Sequence, residues 1–212
     1  MQNYILISFT FAILLIGIFF FTYEKKRPQP RDIMPIVIMC VVSALGRIVF
    51  NFIPQVQPST AIIIIMGICY GRQAGFITGA MTALVSNMIL GQGPWTIWQM
   101  TAWGIIGFLA GFIRCYPFGQ TTESNFKKTT HILLVAVFGF FSAFLFSMIT
   151  DIWTIASIGS ALTPSLAISI FTTGMIFNIS HAIGNVIFIF LLYPAFAKKL
   201  LRLKHKYGIL KG

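Results

Sequence analysis

The chain has 212 residues, of which 57% are hydrophobic and 9% are charged, and its mean hydropathy is +0.88. A soluble domain carries about a quarter charged residues, so this composition excludes an ordinary globular protein, and the high hydrophobic fraction excludes intrinsic disorder. The net charge of +11 could indicate nucleic-acid binding, but the basic residues fall between long apolar segments. That pattern is typical of a helical membrane protein. We therefore predict an all-α, polytopic integral membrane helical bundle that contacts membrane lipid and no nucleic acid.

Long apolar segments predict the membrane helices, because one span needs about 20 apolar residues. In chain order the predicted helices are 3–22, 33–53, 59–71, 74–90, 96–113, 131–152 and 166–194. No basic residue precedes the first segment and no small-residue cleavage site follows it, so we predict a retained helix rather than a signal peptide. The third segment is short for a span, and the alternative is one long helix over 59–90.

The positions of Lys and Arg decide between seven helices and six. With seven helices, fourteen of the fifteen basic residues lie on one side of the membrane: four in the 23–32 loop, one in the 71–74 turn, three in the 114–130 loop and six in the tail. The positive-inside rule makes that side the cytoplasm. We therefore predict a multi-pass cell-membrane protein with its N-terminus outside and its C-terminus cytoplasmic.

The same pattern divides the chain into three parts. Residues 1–32 form an N-terminal transmembrane helix and a basic cytoplasmic loop, residues 33–195 form the main membrane domain, and residues 196–212 form a basic cytoplasmic tail. Basic segments next to a membrane attract anionic lipid. We expect the tail to contact lipid head groups.

Small residues at helical spacing predict close contacts between helices, because helices in lipid associate through close packing. Two sets of glycines show this spacing: Gly67, Gly71, Gly75 and Gly79, and then Gly104, Gly107 and Gly111. A further stripe on the second helix consists of Cys40, Ser43 and Ala44. It either packs inside the bundle or docks onto another membrane subunit.

Polar and aromatic side chains concentrate on the side of the bundle that lacks basic loops. Polar groups within membrane helices are costly and suggest function, and ligand pockets combine aromatic walls with a few polar groups. The candidate substrate-binding residues are Arg47, Asn51, Gln55, Gln57, Asn87, Gln92, Trp95, Trp98, Gln99, Trp103, Asp151, Asn178, His181 and Asn185.

Each kind of candidate has an alternative interpretation. The tryptophans could form an interfacial aromatic belt. Arg47 could pair with Asp151 or face an anionic group of a ligand, and His181 could be a satisfied interior histidine. The sequence leaves these alternatives open.

The sequence shows no arrangement of residues that is typical of a catalytic site. Three of the four acidic residues, Glu24, Asp32 and Glu123, fall in predicted cytoplasmic connections, so no pair of carboxylates is placed for acid–base chemistry. No GxxxxGK[ST] motif for binding ATP is present, and the three cysteines lack metal-ligand spacing. We predict neither an enzyme nor a metal or cofactor site.

Several segments resemble one transporter family. They are Gly46-Arg47, the Pro-Gln-Val-Gln-Pro loop at 54–58, the 70–76 segment Tyr-Gly-Arg-Gln-Ala-Gly-Phe, and above all the 91–100 segment Gly-Gln-Gly-Pro-Trp-Thr-Ile-Trp-Gln-Met. The chain resembles the substrate-specific (S) components of energy-coupling factor (ECF) vitamin transporters over residues 33–195.

The resemblance implies a six-helix core that binds a vitamin-type small molecule in an outward pocket. It also implies docking to a transmembrane coupling (T) subunit with two ATPase subunits, which hydrolyse the ATP. The family docks through an Ala-x-x-x-Ala-like motif. The matching positions here are Cys40 and Ala44, so Cys replaces the first Ala, and helix 3–22 is additional to the usual six.

Within this family, the chain is similar to the cobalamin-type S components, and this similarity implies that the substrate is a corrinoid. Riboflavin-like and queuosine-type ligands remain alternatives. The metal-ion branch uses an N-terminal His-bearing segment, and no histidine precedes His131, so a metal ion is not expected. Outside the family, the alternative is a self-sufficient secondary transporter or channel for a small organic solute, although the chain shows no convincing internal repeat.

Overall fold

The computed structural model describes residues 2–25, 27–118, 125–161 and 163–209. Its helices are α1 (Gln2–Glu24), α2 (Pro30–Val49), α3 (Ser59–Tyr70), α4 (Arg72–Leu90), α5 (Trp95–Ala110), α6 (Asn125–Ile158) and α7 (Pro164–Tyr207), with a short 3-10 helix at Gly159–Ala161. These ranges contain no strand. The predicted all-α class is confirmed.

Four of the described helices, α2, α4, α6 and α7, are long and apolar enough to cross a membrane. Shorter apolar helices are formed by α3 and by residues Phe9–Glu24 of α1. With 34 and 44 residues, α6 and α7 are about 50 and 65 Å long, and both exceed a hydrocarbon core of about 30 Å. The chain is a multi-pass membrane protein.

The segment 59–90 forms two helices, as the positions of the basic residues predicted. Gly71 separates α3 from α4 and has a φ of +92°, which glycine adopts without the steric cost that a Cβ brings. Every residue of α3 is buried. The all-round apolar character of α3 therefore reflects a position in the centre of the bundle.

Close backbone contacts join α3, α4 and α5 through the predicted glycines. A Cβ atom on Gly67 or on Gly75 would overlap the carbonyl oxygen of Gly107, and one on Gly79 would overlap that of Trp103. The prediction of close helix contacts is confirmed, and the structure adds that the two glycine sets face each other.

Some predicted boundaries are wrong. α2 ends at Val49 rather than at 53, and Asn51 lies in the turn that follows. α6 continues to Ile158 rather than ending at 152, so Asp151 lies well inside the helix and not at its end. No glycine or proline occurs between 140 and 158, and α6 ends where Gly159 has a φ of +62°. α7 extends through much of the basic tail and ends at Tyr207, and the next residue, Gly208, caps the helix in a left-handed conformation.

The 20 residues of α2, about 30 Å of helix, separate two ends of the bundle. One end contains Arg47, the 51–58 loop and the start of α5, and we call it the Arg47 end. The other contains the 27–29 segment, the turn at Gly71 and the end of α7, and we call it the basic end. Each end has its own cavity.

Candidate functional site

A cavity of about 290 Å³ opens at the Arg47 end, and we call it the Arg47 cavity. Helices α2, α5, α6 and α7 and the 51–58 loop all contribute to its walls. Six of its lining residues were candidates from the sequence: Arg47, Asn51, Gln55, Gln57, Gln99 and Trp103. They provide one cation, four amides and one indole.

Arg47 is held on the wall of this cavity by uncharged groups. Its Nη1 donates hydrogen bonds to Ser86 Oγ at 2.6 Å and to Asn87 Oδ1 at 2.5 Å. Its guanidinium carbon lies 5.0 Å from the centroid of the Trp103 ring, which is a cation–π contact. Within the described ranges, Nε and Nη2 have no hydrogen-bond partner and no carboxylate pairs with the guanidinium. These donors remain available to a ligand.

The alternative pairing of Arg47 with Asp151 does not form. The Asp151 carboxylate instead accepts a hydrogen bond from Ser147 Oγ at 3.1 Å, one turn earlier on α6. Asp151 does not line the Arg47 cavity. The positive charge of Arg47 is therefore not neutralised by this carboxylate.

Asn87 connects Arg47 to the start of α5. The Asn87 side chain is 1% exposed, and its Nδ2 donates to Thr96 Oγ1 at 2.9 Å and to Gln99 Oε1 at 2.8 Å. Because Gln99 Oε1 already accepts this bond, the remaining group of the Gln99 amide is its Nε2 donor. Asn87 thus orients two cavity residues without lining the cavity itself.

The glycine-rich connection between α4 and α5 is fastened by Gln92. Gln92 Nε2 donates to the Leu84 carbonyl at 3.1 Å, and Thr96 Oγ1 donates to Gln92 Oε1 at 2.9 Å. Gly91 has a φ of +116°, which permits the turn. Gln92 lies outside the cavity, so its role is to hold the connection that places Gln99.

Trp103 is held in place by a buried chain of hydrogen bonds. Its Nε1 donates to Thr60 Oγ1 at 3.0 Å, and Thr60 Oγ1 also bonds His181 Nε2 at 2.9 Å. The His181 side chain is 2% exposed and does not line the cavity. It is a satisfied interior histidine that acts on the cavity through Thr60 and Trp103.

Four other candidates lie away from the cavity. Trp95 is 43% exposed and packs against Gly93, whereas Trp98 is 4% exposed, with an indole Nε1 that has no partner in the described part of the chain. Asn178 is partly buried on α7. Asn185 Nδ2 donates to the Gly139 carbonyl at 2.9 Å and joins α7 to α6.

The sequence analysis missed the apolar wall and two supporting hydroxyls. The wall consists of Ile53, Pro54, Phe146 and Phe177, and nothing in the sequence distinguishes these side chains from those that face lipid. The hydroxyls belong to Ser86 and Thr60. Ser86 is the neighbour of a candidate, and that adjacency was the only available signal.

The predicted docking stripe is inside the bundle. Cys40, Ser43 and Ala44 are at most 5% exposed. Ser43 and Ser59 each donate to the other's carbonyl, at 3.4 and 3.0 Å. The stripe therefore packs α2 against α3 and α4 and is not available to a partner in this structure. The exposed face of α2 instead carries Val37, Ile38, Val41 and Leu45.

A substitution separates interior packing from docking. We expect Ala44→Leu to destabilise the purified protein by about 1–3 kcal/mol, because a larger side chain overfills a packed interior. Ala195→Leu makes the same change at an exposed position of α7 and should leave the melting temperature unchanged. Thermal unfolding in detergent measures both. Wild-type stability of Ala44→Leu together with lost uptake would restore the docking interpretation.

The structure is a helical membrane bundle with a polar cavity, and comparison with known proteins supplies its family. Residues 32–198 match the family model described as "ECF-type riboflavin transporter, S component", and the chain belongs to this family. The family consists of transporter components, not enzymes.

Curated relatives include UPF0397 proteins of Aliivibrio fischeri strains MJ11 and ATCC 700601 / ES114. Each is 24% identical over 88 residues, which are 42% of this chain and 48% of the relative. The match thus spans about half the length of these relatives. No solved structure matches the chain.

Proposed function

We propose that the chain captures a flavin, or another flat heterocyclic vitamin of similar size, in the Arg47 cavity and passes it to an ATP-driven coupling module. The observation that carries this proposal is the guanidinium of Arg47, which lines the cavity with unused donors and no pairing carboxylate among the described residues. A partly desolvated cation of this kind favours a ligand that brings anionic or strongly accepting oxygen atoms.

The cavity lining suits the two halves of a flavin. The ring system carries carbonyl oxygens that can accept from Arg47 and from Gln99 Nε2, while its flat faces can contact Phe146 and Phe177. A ribityl chain carries several hydroxyls, and amides can both donate to them and accept from them. Such amides are present on Asn51, Gln55 and Gln57 at the mouth of the cavity.

The size of the cavity favours a flavin over the corrinoid that the sequence led us to expect. Pockets for drug-sized ligands start at about 300 Å³, and the Arg47 cavity of about 290 Å³ is at that lower end. A corrinoid has a macrocycle and a nucleotide tail and needs a far larger space. The family description, which names riboflavin, supports the same choice.

The proposal also includes an orientation in the membrane and a set of partner subunits. We propose that the Arg47 end faces outward and that the basic end faces the cytoplasm, because Lys and Arg concentrate there. A T subunit and two ATPase subunits then supply the energy for release. The exposed apolar face of α2 is the surface that we propose for contact with the T subunit.

Calorimetry on the purified chain tests the ligand. We expect riboflavin to bind with a stoichiometry of one, with quenched flavin fluorescence because Trp103 lines the cavity, and we expect cobalamin and thiamine to give no heat. Heat with cobalamin but not with riboflavin would overturn the flavin assignment and keep the transport class. No measurable heat with any vitamin of a full panel would contradict vitamin binding by this chain.

A further inference from the structure

A second and larger cavity, of about 1040 Å³, lies at the basic end between α1 and the rest of the bundle. We call it the Arg72 cavity. Its walls come from α1, the 27–32 segment, the turn at Gly71 with the end of α3 and the start of α4, Phe108 of α5 and the end of α7. It lies at the opposite end of α2 from the Arg47 cavity, and nothing in the proposed transport function uses it.

The lining of the Arg72 cavity is strongly positive. Arg27, Arg31, Arg72 and Lys204 contribute four cations, and Asp32 contributes the single carboxylate of the described lining. One Asp32 oxygen already accepts from the backbone N–H of Gln29, which caps α2. The excess of three positive charges favours an anionic occupant.

Two of the cations are held by contacts that leave donors free. The Arg72 guanidinium lies 4.9 Å from the centroid of the Phe112 ring, so its edges still carry N–H groups. Lys204 Nζ donates to the Cys69 carbonyl at 3.0 Å, and an ammonium has two further N–H bonds. Both side chains are thus positioned and can still bind an anion.

Uncharged donors also point to an anion. α4 begins at Arg72 without a side-chain cap, and Gly71, Arg72, Gln73 and Ala74 all line the cavity. The first N–H groups of a helix bind phosphate well. Tyr23, which also lines the cavity, has a buried hydroxyl with no partner among the described residues. A phosphate oxygen would satisfy that hydroxyl.

Part of the wall is apolar, and this part distinguishes a lipid from a free anion. Ile18, Phe19 and Phe108 line this part. Phe19 packs against Phe108 with ring centroids 5.0 Å apart and stacks on Phe76 at 3.9 Å. A soluble phosphate would leave this wall unused, whereas a phospholipid has apolar chains next to its phosphate.

We propose that the Arg72 cavity binds the headgroup phosphate of an anionic phospholipid, with the start of its acyl chains against Ile18 and Phe108. Basic pockets between membrane helices on the cytoplasmic side bind anionic head groups in this way. The bound lipid bridges α1 to α4 and α7. This gives the additional N-terminal helix a role, which is to close a lipid site on the bundle.

Native mass spectrometry and thermal unfolding of the full chain in detergent test the proposal. We expect phosphatidylglycerol to be retained and to raise the melting temperature, and we expect phosphatidylcholine at equal concentration to do neither. Equal retention of the two lipids would overturn the proposal. So would equal stabilisation by inorganic phosphate alone, because the occupant would then be a soluble anion.

A pair of double variants gives the matched control. Arg31→Gln with Arg72→Gln removes two cations from the cavity, and Lys199→Gln with Arg202→Gln removes two exposed cations of α7 that do not line it. We expect the first pair to weaken phosphatidylglycerol binding about 30-fold, from about 1 kcal/mol per basic residue, and the second pair to change it little. Equal loss in both would show general attraction to charge and refute a specific site.

A milder variant keeps the test valid if the double variant fails to fold. Tyr23→Phe removes only the buried hydroxyl, and we expect a several-fold weaker interaction with phosphatidylglycerol and unchanged riboflavin binding. Unchanged lipid binding in this variant would contradict the role of Tyr23 in holding the phosphate. Because riboflavin binding is measured at the other end of the bundle, the outcome for the lipid site is independent of the outcome for the vitamin site.

Discussion

Replacing Arg47 with Gln is expected to weaken vitamin binding at least about 30-fold, which corresponds to the lower end of the roughly 2–5 kcal/mol lost when one partner of a desolvated charged hydrogen bond is removed. Glutamine keeps a polar side chain but loses the charge and the two donors, Nε and Nη2, that have no partner among the described residues. Calorimetric titration of the purified variant gives the affinity. Arg47→Lys should fall between the variant and the wild type, because it keeps the charge and loses the fork of donors.

Two controls make this result specific to the cavity. Arg202→Gln makes the same substitution at an exposed position of α7 and should bind the vitamin as the wild type does. The melting temperature of Arg47→Gln shows whether the loss of the bonds to Ser86 and Asn87 has disturbed the fold. A folded Arg47→Gln protein with wild-type affinity would move the binding site out of the Arg47 cavity.

Gly107→Leu is expected to prevent folding of the bundle. A Cβ atom at this position would overlap the carbonyl of Gly75, so α4 and α5 could not keep their present separation. The cost should exceed the roughly 1–3 kcal/mol of ordinary overpacking, because the atoms that must move belong to two backbones rather than to a flexible side chain. Size-exclusion chromatography and thermal unfolding measure the loss of the monodisperse, cooperatively folded protein.

Gly17→Leu provides the matched control for this substitution. Gly17 lies on α1, and a Cβ atom there would meet no heavy atom within 4 Å. We expect this variant to be purified with wild-type yield and stability. If Gly107→Leu were as stable as Gly17→Leu, the close contact between the backbones of α4 and α5 at Gly107 and Gly75 would be contradicted.

The Arg47 cavity shows which kinds of residue can be recognised from the sequence. Arg47, Asn51 and Gln99 were found because charged and amide side chains stand out among apolar helices. Phe146 and Phe177 were not found, because an aromatic side chain in a membrane helix looks the same whether it faces a ligand or lipid. The stripe of Cys40, Ser43 and Ala44 shows the same difficulty. Small residues allow any close helix contact, so they do not indicate whether the contact is with another helix of the chain or with another subunit.

The sequence by itself determined the class of the protein, the division of residues 59–90 into two helices and the concentration of polar groups at one end. These properties follow from local composition, namely the length of apolar segments, the position of Gly71 and the distribution of Lys and Arg. Only the tertiary structure decided that Arg47 bonds to Asn87 and not to Asp151, and that His181 supports Trp103 from behind. Such pairings depend on how helices distant in the chain are rotated and stacked, and the pattern within any single helix does not contain that information.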